Sequence, residues 1–469
     1  MRQFAIAAAT ALGLLTAAGA AQAQDALRPD QVAFRALFEE LVEIDTTLSN
    51  GSCTLAAERM AAHLKAAGFT DDQLTLFSVP EAPRDGGLVA VLPGSGEGGG
   101  PILLLGHLDV VEARREDWTR DPFTLVEEDG WFYARGVSDM KDLDSVWVDM
   151  LARFRREGFK PRRTLKLALT CGEESDAFNG AKWLVANRPE LIAADFVLNE
   201  GGGGVLGEDR QVVSQLIQVG EKVYQDYRLE AVNPGGHSSI PIRDNAIYQL
   251  SEALLKVRDH VFPAELTDTT RTFLARQGAL QDDAIGAAMR AVAADPTDAA
   301  ALAVLAEDRT LNSVLRTTCV GTMLSGGHAN NALPQRASAV VNCRIFPGHD
   351  AAETRDALIA AIGDPGVAVT YIDPVGQRAV VPPLRPELMG PIEALTERYF
   401  PGVPVIPSMS TGATDAVHFA SAGIPVYGVP GIWYDNDGNG AHGLNERLEV
   451  KALYTGRDFL TDLVRTLIE

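Results

Sequence analysis

The sequence predicts an α/β protein: a largely parallel sheet covered by helices, with a smaller α+β layer of ferredoxin-like type inserted into it. Three observations predict this class. Compact apolar runs of strand length alternate with segments of helical periodicity through the first two hundred residues. After Val219 that alternation gives way to a smaller set of strands and helices. A further core-type run, residues 423–429, returns near the end, so the sheet is split in sequence by an insertion.

In chain order, Phe34, Leu37, Phe38 and Leu41, then Met60 and Leu64, recur at helical spacing and predict two helices within residues 31–68. Residues 88–92 and 102–105 are strands, and the glycine-rich stretch 94–100 predicts a hairpin connection between them. It is not a phosphate loop, because it joins two strands and no Lys-Ser/Thr pair follows. Lys141–Arg156 predicts a helix, 165–169 a buried strand, 181–187 a helix and 196–198 another strand. In the inserted layer, Val223–Val232 predicts a strand and 245–257 a helix. Residues 317–324 and 338–345 predict strands, Ala351–Ile362 a helix and Val367–Ile372 a strand. An Ala-rich helical insertion at about 263–311 interrupts this layer, and the Pro-rich stretch 374–386 reads as the crossing back. The expected division is therefore 24–221 with 376–469 as one domain and 222–375 as the other.

Length and composition bound the function. The chain has 469 residues, 46% apolar and 22% charged, which excludes a disordered, collagen-like or disulfide-scaffold protein. Residues 1–23 read as an export signal: Arg2, an Ala/Leu-rich apolar stretch, then Ala21-Gln22-Ala23 as a small-x-small cleavage site. A retained membrane anchor is the alternative; its poverty in bulky residues favours removal, and the expected location is periplasmic or secreted. No later segment approaches 18 uninterrupted apolar residues, so no membrane span is expected. A net charge of −22 makes nucleic acid or an anionic membrane surface a poor partner. Four cysteines are too few for a stapled scaffold; Cys319 with Cys343 is the favoured bridge, and free buried thiols are the alternative.

In open parallel sheets, ligands sit beyond the carboxyl ends of the strands, so the residues just after the apolar runs carry the functional signal. Gly106-His107-Leu108-Asp109 follows one run; residues two apart on an extended chain face the same way, so Asp109 can fix the His107 tautomer. Asp139 precedes a helix and alone reads as an N-cap. Glu173-Glu174 follows the 165–169 strand, where adjacent carboxylates repel unless a cation or shared proton intervenes. Glu200 follows 196–198, and His442 lies 242 residues further on among glycines. Each signal is weak alone. Together His107, Asp139, Glu174, Glu200 and His442 form a mixed N/O set suited to two divalent ions, zinc first, with cobalt or manganese as alternatives.

Residues 106–111, 134–142, the Glu173-Glu174 pair, 233–241 and 441–448 together resemble the zinc exopeptidase and deacylase family. That family includes glutamate carboxypeptidase, aminoacylase, succinyl-diaminopimelate desuccinylase and yeast carboxypeptidase S. The resemblance runs from about Phe34 to the C-terminus. Trp118, Pro122-Phe123, Gly130 and Tyr133 before Arg135-Gly136, with the long insertion after Phe262, look closest to the carboxypeptidase S branch.

The resemblance implies one ion on His107, Asp139 and Glu200 and another on Asp139, Glu174 and His442. It further implies that Asp109 orients His107, that Glu173 is the general base, and that lid residue His237 stabilises the oxyanion, from its own or a partner subunit. Arg344, Asn330 and Asn331 would receive the free carboxylate of a small peptide or an N-acyl amino acid. A homodimer through the lid is also implied. The sequence departs from relatives at Asn199, Asp142 and Cys171-Gly172, without removing a ligand. The expected activity is a carboxypeptidase-like metallopeptidase, with an N-acyl amino acid deacylase as the alternative. A non-catalytic periplasmic binding protein is the competing class.

Overall fold

The computed structural model describes residues 27–175, 178–372 and 380–469. The expected export segment lies outside the described residues, as do residues 373–379 of the expected Pro-rich crossing.

The larger sheet has nine strands. From one edge the order is Leu74–Val79, Ala82–Leu92, Leu165–Thr170, Ile102–His107, Phe196–Asn199, Val426–Gly428, Val212–Glu221 and Val405–Ser410, with Gly203–Leu206 paired on Val212–Glu221. Its centre, from Leu165–Thr170 through Val426–Gly428, is parallel throughout. Alternate residues of one strand feed opposite faces: Ile102 and Leu104 enter one core, Leu103 and Leu105 another. The first core packs helices Pro29–Glu43, Cys53–Ala66, Lys141–Arg156 and Val450–Ile468; the second packs Gly180–Asn187 and Ala416–Ser421. Covering both faces explains why the central strands are buried along their whole length.

The hairpin expected between 88–92 and 102–105 is not formed. Leu165–Thr170 lies between them, antiparallel to Ala82–Leu92 and parallel to Ile102–His107. The glycine-rich stretch serves a different contact. Gly96 N–H donates to the Arg162 carbonyl, and a Cβ on Gly94 would run into the Arg163 carbonyl group. Strands buried on both faces are near-continuously apolar, so their sequences carry little alternation from which neighbours are chosen.

The second sheet has four antiparallel strands in the order Thr318–Gly326, Arg336–Ile345, Val223–Val232, Val367–Ile372. With helices Ala246–Asp259 and Ala351–Ile362 it has the ferredoxin-like βαββαβ order. Val223–Val232 alternates buried and open positions, as a sheet covered on one face requires. Helices Asp268–Gly278, Ala284–Ala294, Ala299–Glu307 and Arg309–Val314 form the helical insertion around a small core of their own. Both cysteine pairs are bonded: Cys319 with Cys343, directly opposite on neighbouring strands, and Cys53 with Cys171, a pairing the sequence did not single out. Among the described residues no helix is long and apolar enough to cross a membrane.

Trp147 is fully buried on the Lys141–Arg156 helix, and its indole N–H donates to the Leu105 carbonyl at 3.3 Å. Trp147→Ala is expected to cost about 3–5 kcal/mol. Leu76→Ala, at a half-exposed position, is expected to change stability by about 0.5 kcal/mol or less. Denaturant unfolding measures both.

Candidate metal centre

The strand ends bring the five candidate ligands to one place. His107 ends Ile102–His107; Glu173 and Glu174 lie just past Leu165–Thr170, and Glu200 follows Phe196–Asn199. Asp139 is not an N-cap: Met140 holds that position for the Lys141–Arg156 helix, leaving the Asp139 carboxylate to face two imidazoles. Its Oδ1 is 3.4 Å from His107 Nε2, and its Oδ2 is 3.0 Å from His442 Nε2. Glu200 Oε1 stands 3.7 Å from His107 Nε2, and Glu174 Oε1 stands 2.9 Å from His442 Nε2. Two groups able to hold a metal ion result, His107–Asp139–Glu200 and Asp139–Glu174–His442, with Asp139 common to both. Glu173 also falls within ligand distance of His107 and Glu174.

His107 is buried, and its Nε2 has no well-formed hydrogen bond although the Asp139 and Glu200 carboxylates stand 3.4 and 3.7 Å from it. A buried ring nitrogen aimed at carboxylate oxygens fits a bound cation, so the donor set and its orientation suit divalent metal.

The crowding shows in the proton affinities. Burial disfavours the charged His107 imidazole, but the Asp139 carboxylate and the charges of Glu200 and Glu173 hold it well above its ordinary value. Burial pushes Glu173 up to about 8, with Asp415, Glu174 and Asp109 adding to the rise against His107. Burial likewise raises Glu174, and raises Glu200 well above the carboxylate range. Burial also opposes the charge on Asp139, but the two imidazoles outweigh it and bring that carboxyl down. His442 is pushed up to about 9, chiefly by its contact with Asp139.

Asp109 acts differently from the expectation. The imidazole Nδ1 of His107 meets the Asp109 backbone carbonyl at 3.0 Å, while the Asp109 carboxylate lies 3.8 Å away. That carboxylate is occupied by the N–H groups of Gly172, Glu173 and Glu174 at 2.7, 3.3 and 2.9 Å. Asp109 thus fixes the His107 tautomer through its main chain and the Glu173-Glu174 turn through its side chain.

A second support was quoted in the sequence motifs but assigned no role there. Glu446 is fully buried and accepts from the Arg135 guanidinium at 2.6 Å, Gly136 N–H at 2.9 Å, and Ser138 N–H and hydroxyl at 2.8 and 3.0 Å. Arg135 also donates to the Gly443 carbonyl at 2.6 Å. This network ties the turn before Asp139 to the loop carrying His442, whose backbone sits in the left-handed region at φ 59°. Asp142, one of the departures, is fully buried and accepts from the Tyr434 hydroxyl at 3.3 Å. The sequence signals for these were a Glu four residues after the histidine and an Arg-Gly pair before the aspartate.

The residues assigned to the inserted layer stand apart. His237 is exposed on a two-residue strand paired with Ala332–Leu333, and its Nδ1 accepts from Ser239 N–H at 3.1 Å. Ser238 N–H donates to the Asn331 carbonyl at 3.1 Å, so Asn331 adjoins the His237 turn, with exposed Asn330 next to it. Arg344 lies on Arg336–Ile345 with its guanidinium 4.7 Å from the Tyr224 ring centre. The structure brings the five candidate ligands, Glu173 and Asp109 together at the strand ends of the larger sheet, while His237 and Arg344 belong to the inserted layer.

An α/β sheet with a ferredoxin-like insertion and a carboxylate–imidazole cluster at its strand ends defines a hydrolase of the metallopeptidase type. Residues 103–466 match the model of "Peptidase family M20/M25/M40", and the chain belongs to that family. A probable carboxypeptidase S-like 2 of Dictyostelium discoideum is 28% identical over 78% of this chain and 71% of that protein. An N-fatty-acyl-amino acid synthase/hydrolase of Xenopus tropicalis is 27% identical over 78% of this chain and 72% of that one. The crystal structure of an M20 family metallo-carboxypeptidase from Sulfolobus solfataricus has the same fold. It shows a TM-score of 0.69 and 18% identity, covering 94% of this chain and 99% of that one.

Near the cluster, burial pushes Glu221 up to about 8, Asp142 up to about 7 and Asp415 up to about 6. A carboxyl raised in the folded state binds more protons folded than unfolded, so stability declines as pH climbs through that window. His418, held down to about 4 by burial and by Lys182, pulls the other way. The melting temperature of chelator-treated protein is expected to fall between pH 5 and pH 7. A flat or rising midpoint would contradict the burial of these groups.

Proposed function

We propose that this chain is a metal-dependent amide hydrolase that holds two divalent ions and cleaves small peptides next to a free carboxylate, in the manner of a carboxypeptidase. Zinc is the proposed metal, with cobalt or manganese as alternatives. The observation that carries the reading is the sharing of Asp139 between two ligand groups, with Glu173 beside them. One ion would take His107, Asp139 and Glu200, and the other Asp139, Glu174 and His442. Two closely spaced divalent ions supply an activated water at neutral pH and polarise the scissile carbonyl.

Glu173 is the proposed general base. It needs no ion of its own, and its place beside both ligand groups suits a group that takes a proton from the attacking water and delivers it to the leaving amine. A binding protein has no use for such a group next to five ligands. His237 is proposed to steady the developing oxyanion. The planar fork of Arg344, with Asn330 and Asn331, is proposed to receive the substrate carboxylate.

His237 is exposed on the inserted layer, so closure of that layer or a partner subunit is proposed to bring it to the cluster. We place a homodimer on this layer, where the edge strand Thr318–Gly326 exposes Val320, Met323 and Leu324. Export to the periplasm or beyond is proposed from the N-terminal segment and is supported by the two disulfides.

The second reading, an N-acyl amino acid deacylase, is favoured by the relative named for N-fatty-acyl-amino acids. Both readings share the cluster and the carboxylate and differ only in the acyl half.

Chelated protein reloaded with zinc, cobalt or manganese, then assayed on dipeptides and N-acyl amino acids, tests the proposal. Metal-dependent hydrolysis is expected; full activity in chelator, or metal binding without hydrolysis of any substrate in the panel, would overturn it. Glu173→Ala is expected to retain both ions by elemental analysis and to lose roughly 10²–10⁴ in rate. Loss of an ion would instead make Glu173 a ligand.

A further inference from the structure

Cys53 and Cys171 are joined across 118 residues, and the bridge ends three positions before Glu174. We propose that this bridge is a positioning pair for the metal centre: it holds Glu174 in the group formed with Asp139 and His442, and its reduction weakens that group while sparing His107–Asp139–Glu200. This rests on the two-ion reading and goes beyond it, because it makes one ion site depend on oxidised cysteines.

The two ends of the bridge differ in firmness. Cys53 is buried and opens the Cys53–Ala66 helix, whose Ala56, Ala57, Met60 and Leu64 pack into the main core. Cys171 instead is the first residue past Leu165–Thr170, and residues 171–175 belong to neither strand nor helix. The bridge therefore ties an irregular turn to a packed helix. That turn is under load. Burial, then the charges of Asp139 and Asp109, raise the proton affinity of Glu174, so its carboxylate is repelled where it stands. The amides of the turn are anchored on Asp109, which adds a further negative charge to the cluster. A disulfide holds the same turn without adding charge. Once it opens, repulsion at this end is resisted by hydrogen bonds alone.

The other bridge supplies the contrast. Cys319 and Cys343 lie opposite one another on neighbouring strands of the four-stranded sheet, which the ladder already joins. The first bridge is also within reach of chemistry: a cleft of about 240 Å³ has Cys53, Cys171 and Glu174 in its wall, which gives a small reductant a way to sulfurs the fold otherwise covers.

The test reduces metal-free protein with a water-soluble phosphine, which takes an oxygen from water to become the phosphine oxide; the bridge accepts the two electrons released, and each sulfur gains a proton. Gel filtration removes the reagent, thiol counting verifies that the bridges are open, and titration with cobalt reads the ion affinities. Reduction is expected to weaken one of the two by roughly tenfold to a hundredfold, as loss of an outer support of a metal ligand does, and to leave the other unchanged. Reoxidation is expected to restore it. Cys53→Ser with Cys171→Ser is expected to reproduce the loss, and Cys319→Ser with Cys343→Ser to leave both affinities as they were. In Glu174→Ala, where the pair has nothing left to position, reduction is expected not to move the remaining affinity. Affinities unmoved by an open bridge, an equal loss at both sites, or the same loss in Glu174→Ala overturns the positioning role while leaving the two-ion reading intact. Oxidised wild type that binds fewer than two ions overturns both.

Discussion

The structure around the site depends on one electrostatic constraint: carboxylates gathered at the end of a buried sheet must be neutralised. Asp139, Glu173, Glu174 and Glu200 converge on two imidazoles, and burial drives the three glutamates to hold protons above their ordinary range. Like charges at this separation repel by several kcal/mol unless a counter-charge intervenes. Two histidines compensate in part; divalent cations would complete the balance. That imbalance, more than any single distance, gives the cluster a use for metal.

The surrounding hydrogen bonds hold the repelling groups in place. Asp109 gathers three successive N–H groups of the Glu173-Glu174 turn, and Cys171 ties the start of the same turn to Cys53 on a neighbouring helix. Glu446 gathers the Arg135–Ser138 turn and, through Arg135, the loop of His442. Each support is a buried carboxylate that accepts from several donors at once, which fixes the chain around it. The ligands are therefore positioned by other acids rather than by apolar packing alone. In a metal site such outer partners set ligand orientation.

The class of fold and the residues of the cluster were legible from sequence because strand ends in parallel sheets are marked by the end of an apolar run. His107, Glu174 and Glu200 each follow such a run, and Lys141–Arg156 was readable to its ends from periodicity. Two things were not legible. Strand neighbours were not, since Ala82–Leu92, Ile102–His107 and Leu165–Thr170 are equally apolar at their shared positions, and the last inserts between the first two. The division of labour within Asp109 was not either. Spacing alone puts its carboxylate on the same side as His107, but three amides of a turn 63 to 65 residues away compete for it and win.

The cluster and the residues proposed to meet the substrate sit on different layers. Every group in the cluster is fixed by the nine-stranded sheet and its connections, which are packed on both faces and cross-braced by buried ion pairs. His237, Asn330 and Arg344 instead belong to a layer with its own core and an exposed edge strand. A layer with a separate core moves as a body at little cost to either core. Charge balance is thus confined to the half that stays still, where a misplacement of an ångström would break the sharing of Asp139. The groups proposed to meet the substrate, His237, Asn330 and Arg344, are carried instead by the layer with its own core.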